Sequence, residues 1–128
     1  MKAVLIDIVS EVNDIKVVDI EEPKLKSYYK HLQCDLIDIV GEVEIGPRMK
    51  RYDLIVDDEG LLKENPKMSA ICMNNSDMSL FGNVLVTKHN GKGEQITLDE
   101  RDIQDVLQWA KMVGTKEDGL RPLLFFNL

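Results

Sequence analysis

At 128 residues, with 44% hydrophobic and 30% charged residues, the chain fits one domain that can bury its core without disulfides or a structural metal. It lies outside the weakly hydrophobic, highly charged class that stays disordered. A formal net charge of −7 argues against general binding to DNA or RNA, because such a field repels phosphates. Cys34 and Cys72 stand beside apolar residues without metal-ligand spacing, which reads as buried free thiols in a reducing compartment.

In chain order, Ala3 to Val9 and Ile15 to Ile20 are β-branched runs separated by Ser10, Glu11, Asn13 and Asp14, the pattern of a hairpin. Asp7 and Glu11 interrupt the opening apolar run, which is then too short for a signal peptide or a membrane span. Pro23 suits the first turn of a helix. Leu25, Tyr28, Tyr29 and Leu32 follow at helical spacing and predict a short helix that ends near Gln33. From Leu36 to Ile45 apolar and acidic residues alternate, with Gly41 placed for a bulge. Gly46-Pro47 turns the chain, and Tyr52 to Val56 is expected to pair back antiparallel.

Beyond Val56 come an acidic turn (Asp57, Asp58, Glu59) closed by Gly60, a Leu61-Leu62 return and a stop at Asn65-Pro66. Met68 to Met73 reads as a further strand. Leu80 to Thr87 has the composition of one strand, Asn90-Gly91 of a tight hairpin turn, and Gln95-Ile96 of its return. Thr97 with Glu100 predicts a capping box, and Asp99, Glu100 and Asp102 put negative charge at the start of a second helix. Ile103, Val106, Leu107, Ala110 and Val113 would form its apolar face, with Trp109 at the edge and Gly114 as the stop. The segment from Thr115 to Gly119 is polar, whereas Leu123, Leu124, Phe125, Phe126 and Leu128 demand burial.

The stretch Arg51-Tyr-Asp-Leu-Ile-Val-Asp-Asp-Glu-Gly-Leu-Leu-Lys-Glu-Asn-Pro-Lys67 resembles a domain-of-unknown-function family of small proteins carried by bacteriophages and mobile elements of Gram-positive gut bacteria. Asp35-Leu-Ile-Asp-Ile-Val40, Gly82-Asn-Val-Leu-Val86 and the helix from Thr97 extend the resemblance over Asp35 to Met112. The shared residues are mostly turn formers and core apolar residues. The resemblance therefore implies a fold and a mobile-element origin, but no reaction; the free thiols in turn suit the reducing cytoplasm of a bacterial host cell.

The chemistry-bearing residues form no catalytic set. His31 and His89 lack metal-ligand spacing, and Asp57-Asp58-Glu59-Gly60 is ordinary turn chemistry. Gly91-Lys92-Gly93 is only a fragment of a phosphate loop, and none of Ser10, Ser27, Ser69, Ser76 or Ser79 sits in a nucleophile elbow. Neither an enzyme nor a cofactor is expected. What remains is a binding inventory. Phe81 could stack on a base, Asn83 and Asn90 could read a base edge, and Arg48, Lys50, Arg51 and Arg121 could hold phosphates. His89, beside Lys88, Asn90 and Lys92, could form a polar lip. Singly, Phe81 also suits the core, Asn83 a turn and Arg121 a solvated surface, so only convergence would be informative.

The expected architecture is α+β: a mostly antiparallel sheet of five to six strands, two packed helices and an apolar C-terminal tail. Residues 1–114 would form the domain and 115–128 a tail docked on its own or a neighbouring subunit, which favours a homo-oligomer. The expected function is non-enzymatic sequestration of a small anionic nucleotide-type immune signal. The alternative is a protein-interaction module that inhibits a host enzyme through an acidic surface. No membrane is expected as a partner.

Overall fold

In the first strand, apolar side chains point to both faces, so the sheet that contains it must be covered on both sides. The computed structural model describes residues 1–63, 65–75, 77–115 and 119–128. Its elements in chain order are β1 (Lys2–Asp7), β2 (Asp14–Asp19), α1 (Lys24–Leu32), β3 (Ile37–Ile45) and β4 (Lys50–Asp57). There follow a 3₁₀ turn (Gly60–Leu62), β5 (Met68–Cys72), β6 (Ser79–Phe81), β7 (Val84–His89), β8 (Gln95–Ile96), α2 (Glu100–Gln108), β9 (Ala110–Thr115) and β10 (Gly119–Phe126). The larger sheet runs β2-β1-β7-β4-β3, with β8 on the end of β7, and every pairing in it is antiparallel.

Alternation along the strands sorts the core into two layers. Ala3, Leu5, Ile55 and Leu85 face α1, where Tyr28 and Leu32 bury against them. Val4, Leu54, Val56 and Val86 face the other way, toward α2 and a second sheet. That sheet runs β6-β5-β10-β9, with β10 parallel to β5 and antiparallel to β9. The expected α+β class, with one antiparallel sheet of five to six strands and two helices, is what the chain forms; the second sheet was not foreseen.

Three local expectations are corrected. The α2 cap is Asp99, not Thr97: Asp99 accepts from the Asp102 N–H while Asp102 accepts from the Asp99 N–H, a reciprocal box that an acid serves as well as Thr/Glu. α2 also stops at Gln108, with Trp109 as its C-cap. Ala110 and Val113 therefore lie on β9, where pairing with β10 overrides their helical spacing. Finally, the run from Leu80 to Thr87 divides at Gly82-Asn83 into β6 and β7, which belong to different sheets. Gly82 takes φ +82° at the division, a value that glycine adopts without strain.

Smaller differences follow the same logic. Leu25 is half exposed, so the buried stripe of α1 is Ser27, Tyr28 and Leu32. The turn after His89 spans Asn90 to Glu94, with the Asn90 side chain accepting from the Lys92 and Glu94 N–H groups. Its left-handed residue is Gly93. The bulge at Gly41 is present as a register shift between Val40 and Val43. Both cysteines are free and buried. Ser76 and the polar segment Lys116-Glu117-Asp118 lie outside the described residues.

The apolar C-terminal run is β10, an internal strand of the second sheet. Leu124 and Phe126 are fully buried, and Phe126 sits opposite Cys72 of β5. Two backbone hydrogen bonds between Asn127 and Glu44 tie this strand to β3. Of the five residues that demand burial, Leu123, Leu124 and Phe126 find it within the chain, Phe125 is partly buried and Leu128 is 51% exposed, so most of the burial that favoured a second copy is met in cis.

Gly60 fixes the loop after β4. A Cβ built there would stand 2.3 Å from the Phe81 carbonyl oxygen. Gly60→Ala is expected to destabilise the fold by about 1–3 kcal/mol, the usual cost of overpacking. Urea denaturation measures it.

Candidate functional site

Arg48 and Lys50, the first of the expected phosphate ligands, are occupied by the protein itself. The Arg48 Nε donates to Asp105 Oδ2 at 2.6 Å, and the Lys50 Nζ to Asp102 Oδ1 at 2.6 Å. Lys88 Nζ reaches Asp102 Oδ2 at 2.5 Å, and the Tyr52 hydroxyl donates to Asp102 Oδ1 at 3.1 Å. Burial opposes ionisation of Asp102, yet the hydrogen bonds from Lys50, Lys88 and the Asp99 N–H outweigh it and hold the carboxyl well below the usual range. Burial and the same Asp102 charge push the Tyr52 phenol up. This cluster clamps α2 to β4 and β7.

On the opposite face of the sheet a second buried carboxylate, Asp53, gathers its own partners. His89 Nδ1 donates to its Oδ2 at 2.7 Å, Gln95 Nε2 donates at 2.8 Å, and the Glu42 N–H donates to Oδ1 at 3.3 Å. His89 is thus a paired residue, not a solvated one. The Asp53 hydrogen bond and charge, aided by Glu42 at 3.7 Å, raise its pKa above the ordinary imidazole value. The stability this pair contributes is full below the ordinary value and is lost as pH rises through the raised one. NMR titration of His89 is expected to show the raised pKa in the wild-type protein and its return toward the ordinary value in Asp53→Asn. Arg51 stands apart, mostly exposed and 3.7 Å from Glu42.

Asn83 is likewise committed to the fold. Its Oδ1 accepts from the Ile8 N–H at 2.8 Å and the Val9 N–H at 3.2 Å, and its Nδ2 donates to the His31 carbonyl at 2.9 Å. One side chain joins the end of β1, the end of α1 and the start of β7. Phe81 is half-buried beside Asp57, Gly60 and Leu61, in a small cavity of about 170 Å³. Asn90 holds its own turn. The eight residues selected from the sequence therefore do not converge on one site; Asn83 and Arg121 alone border adjoining cavities.

One of them, Arg121, leads to a different site. It lines a polar cavity of about 600 Å³ with Asn13, Asn65, Pro66 and Lys67. The same Asn65-Pro66-Lys67 wall closes a neighbouring cavity of about 350 Å³, with Ile8, Val9 and Leu32 on its apolar side and Lys63 on its polar side. The two adjoin along that wall and are together called the groove. Among the described residues its lining contains three cations, Lys63, Lys67 and Arg121, and one acid, Asp57. Lys63 lies 3.9 Å from Asp57, and the buried Nε of Arg121 has no hydrogen-bond partner among the described residues. Glu64, between the two lysines in sequence, lies outside them. Lys63 and Lys67 were legible in the sequence as the end of the Arg51 to Lys67 stretch, but nothing local marked them as facing Arg121. Among the described residues no group of three or more His, Cys, Asp or Glu side chains could hold a metal ion. No helix is long and apolar enough to cross a membrane.

Fold and groove together define a mixed α+β domain, two facing sheets with a helix on the outer face and a cation-lined groove at the loop between β4 and β5. The chain belongs to the family described as Domain of unknown function (DUF3846), whose model matches residues 1–113. Lys63 and Lys67 lie within the matched stretch and Arg121 beyond it. No curated protein and no solved structure matches the chain.

Proposed function

We propose that this protein is a non-enzymatic binder of a small anionic ligand of the nucleotide class, held in the groove of Lys63, Lys67 and Arg121. The observation that carries the reading is a local reversal of charge. In a chain of net charge −7, three cations and one acid among the described residues line a groove that also has an apolar end at Ile8, Val9 and Leu32. A phosphate against Arg121 and Lys67 would make charge-assisted hydrogen bonds, and the apolar end would accept a base. The mobile-element origin implied by the Arg51 to Lys67 stretch suits sequestration of an immune messenger in a bacterial host. Lys67→Ala and Arg121→Ala are each expected to weaken binding by about 10–100-fold, the loss of one hydrogen bond to a charged group. Chromatography after prolonged incubation is expected to return the nucleotide intact; conversion to product would make the protein an enzyme instead.

A second reading, a protein-interaction module, is favoured by Leu61 and Leu62, which are 62% and 81% exposed beside Asp58 and Glu59. A stable host partner in affinity capture, lost on replacing both leucines by serine, would support it.

A further inference from the structure

Three buried polar atoms have no hydrogen-bond partner among the described residues and stand on elements next to Asp53, on the α1 side of the larger sheet: the Tyr28 hydroxyl, Thr87 Oγ1 and Gln95 Oε1. Their common neighbourhood follows from the register. Thr87 is the partner of Asp53 across β4 and β7, and Gln95 is the partner of His89 across β7 and β8. Tyr28 comes from above, on the turn of α1 after Lys24, whose Nζ donates to the Gln95 carbonyl at 3.0 Å. Burial first, then the charges of Glu22 and Asp53, push the Tyr28 phenol up to about 12. Thr87 is fully buried and Tyr28 is 6% exposed.

Each polar group buried without a partner costs about 1–3 kcal/mol, and three in one place would take a large share of a small domain's stability. We infer that a single ordered water molecule is resident here, bridging Tyr28, Thr87 and Gln95 beside Asp53 and forming the polar tie between α1 and the sheet. A buried water makes about three hydrogen bonds, which is the number of atoms left over. Its chemistry also fits. Gln95 Oε1 only accepts, so the occupant must donate to it, while the two hydroxyls can donate to the occupant or accept from it. A monovalent cation would meet the same oxygens but gains little, because the Asp53 charge is already met by His89 at 2.7 Å.

A crystal structure of the wild-type protein at about 1.5 Å tests this directly. The expected result is a solvent peak at hydrogen-bond distance, about 2.6–3.2 Å, from at least two of the three atoms. Direct bonds among Tyr28, Thr87 and Asp53 with no peak between them would overturn it, as would a peak whose occupancy follows potassium or sodium concentration. In solution, water-oxygen relaxation dispersion should count one fewer long-lived water in Tyr28→Phe/Thr87→Val than in wild type; an unchanged count in the folded variant would also overturn it.

Discussion

Asp102→Ala is expected to destabilise the protein by about 3–5 kcal/mol in chemical denaturation, the range for removing one member of a buried ion pair. Asp102 is fully buried and receives hydrogen bonds from Lys50, Lys88 and Tyr52. Its loss leaves the ammonium of Lys88, whose side chain is only 16% exposed, with Asp99 at 3.8 Å as its remaining acid. The change also removes half of the α2 capping box. Lys50 is freer to turn outward, which sets the lower end of the range. Because the folded pKa of Asp102 is lowered, its contribution is complete above the ordinary carboxylate range and declines as pH falls below about 4. A pH series of unfolding free energies should show this acid-side decline in wild type, and a shallower one in Asp102→Asn.

Asn83→Ala is expected to cost about 2–4 kcal/mol, because three hydrogen bonds disappear and the N–H of the fully buried Ile8 is left without a partner. Asn83→Asp should recover part of this loss. A carboxylate can still accept from Ile8 and Val9 but faces the His31 carbonyl with no donor. Equal destabilisation by the two variants would show that the contacts to the β1 end contribute little. Since Ile8, Val9, Leu32 and Asn83 all border the groove, ligand affinity should fall with stability in the alanine variant.

Much of the fold could be read from short-range patterns. The opening hairpin, the Gly41 bulge and the buried face of α2 at Ile103 and Val106 depend on residues within a few positions of one another. The second sheet could not be read in this way. β9 carries helix-compatible spacing at Ala110 and Val113, and only its pairing with β10 decides between the two states. The division at Gly82-Asn83 is hidden because strand-forming residues lie on both sides of it.

The candidate site was less legible for the same physical reason. Arg48 and Lys50 look free in sequence because their acids lie 57 and 52 positions away. His89 looks solvated because Asp53 lies 36 positions before it. Charge compensation is a tertiary property, so a list of cations overestimates the free ones. Of the four cations proposed from the sequence, Arg48 and Lys50 are paired within the fold and Arg51 stands near Glu42, whereas Arg121 borders the groove with Lys67 and with Lys63, itself 3.9 Å from Asp57.

Calorimetry of the wild-type protein against cyclic dinucleotides, cyclic trinucleotides and cyclic ADP-ribose isomers at low salt tests the groove as a nucleotide site most directly. Saturable heat at one site per chain for at least one of these ligands, absent in the Lys67→Ala/Arg121→Ala variant, is the expected result. Uniformly absent heat, or binding that persists unchanged in the double variant, would contradict it.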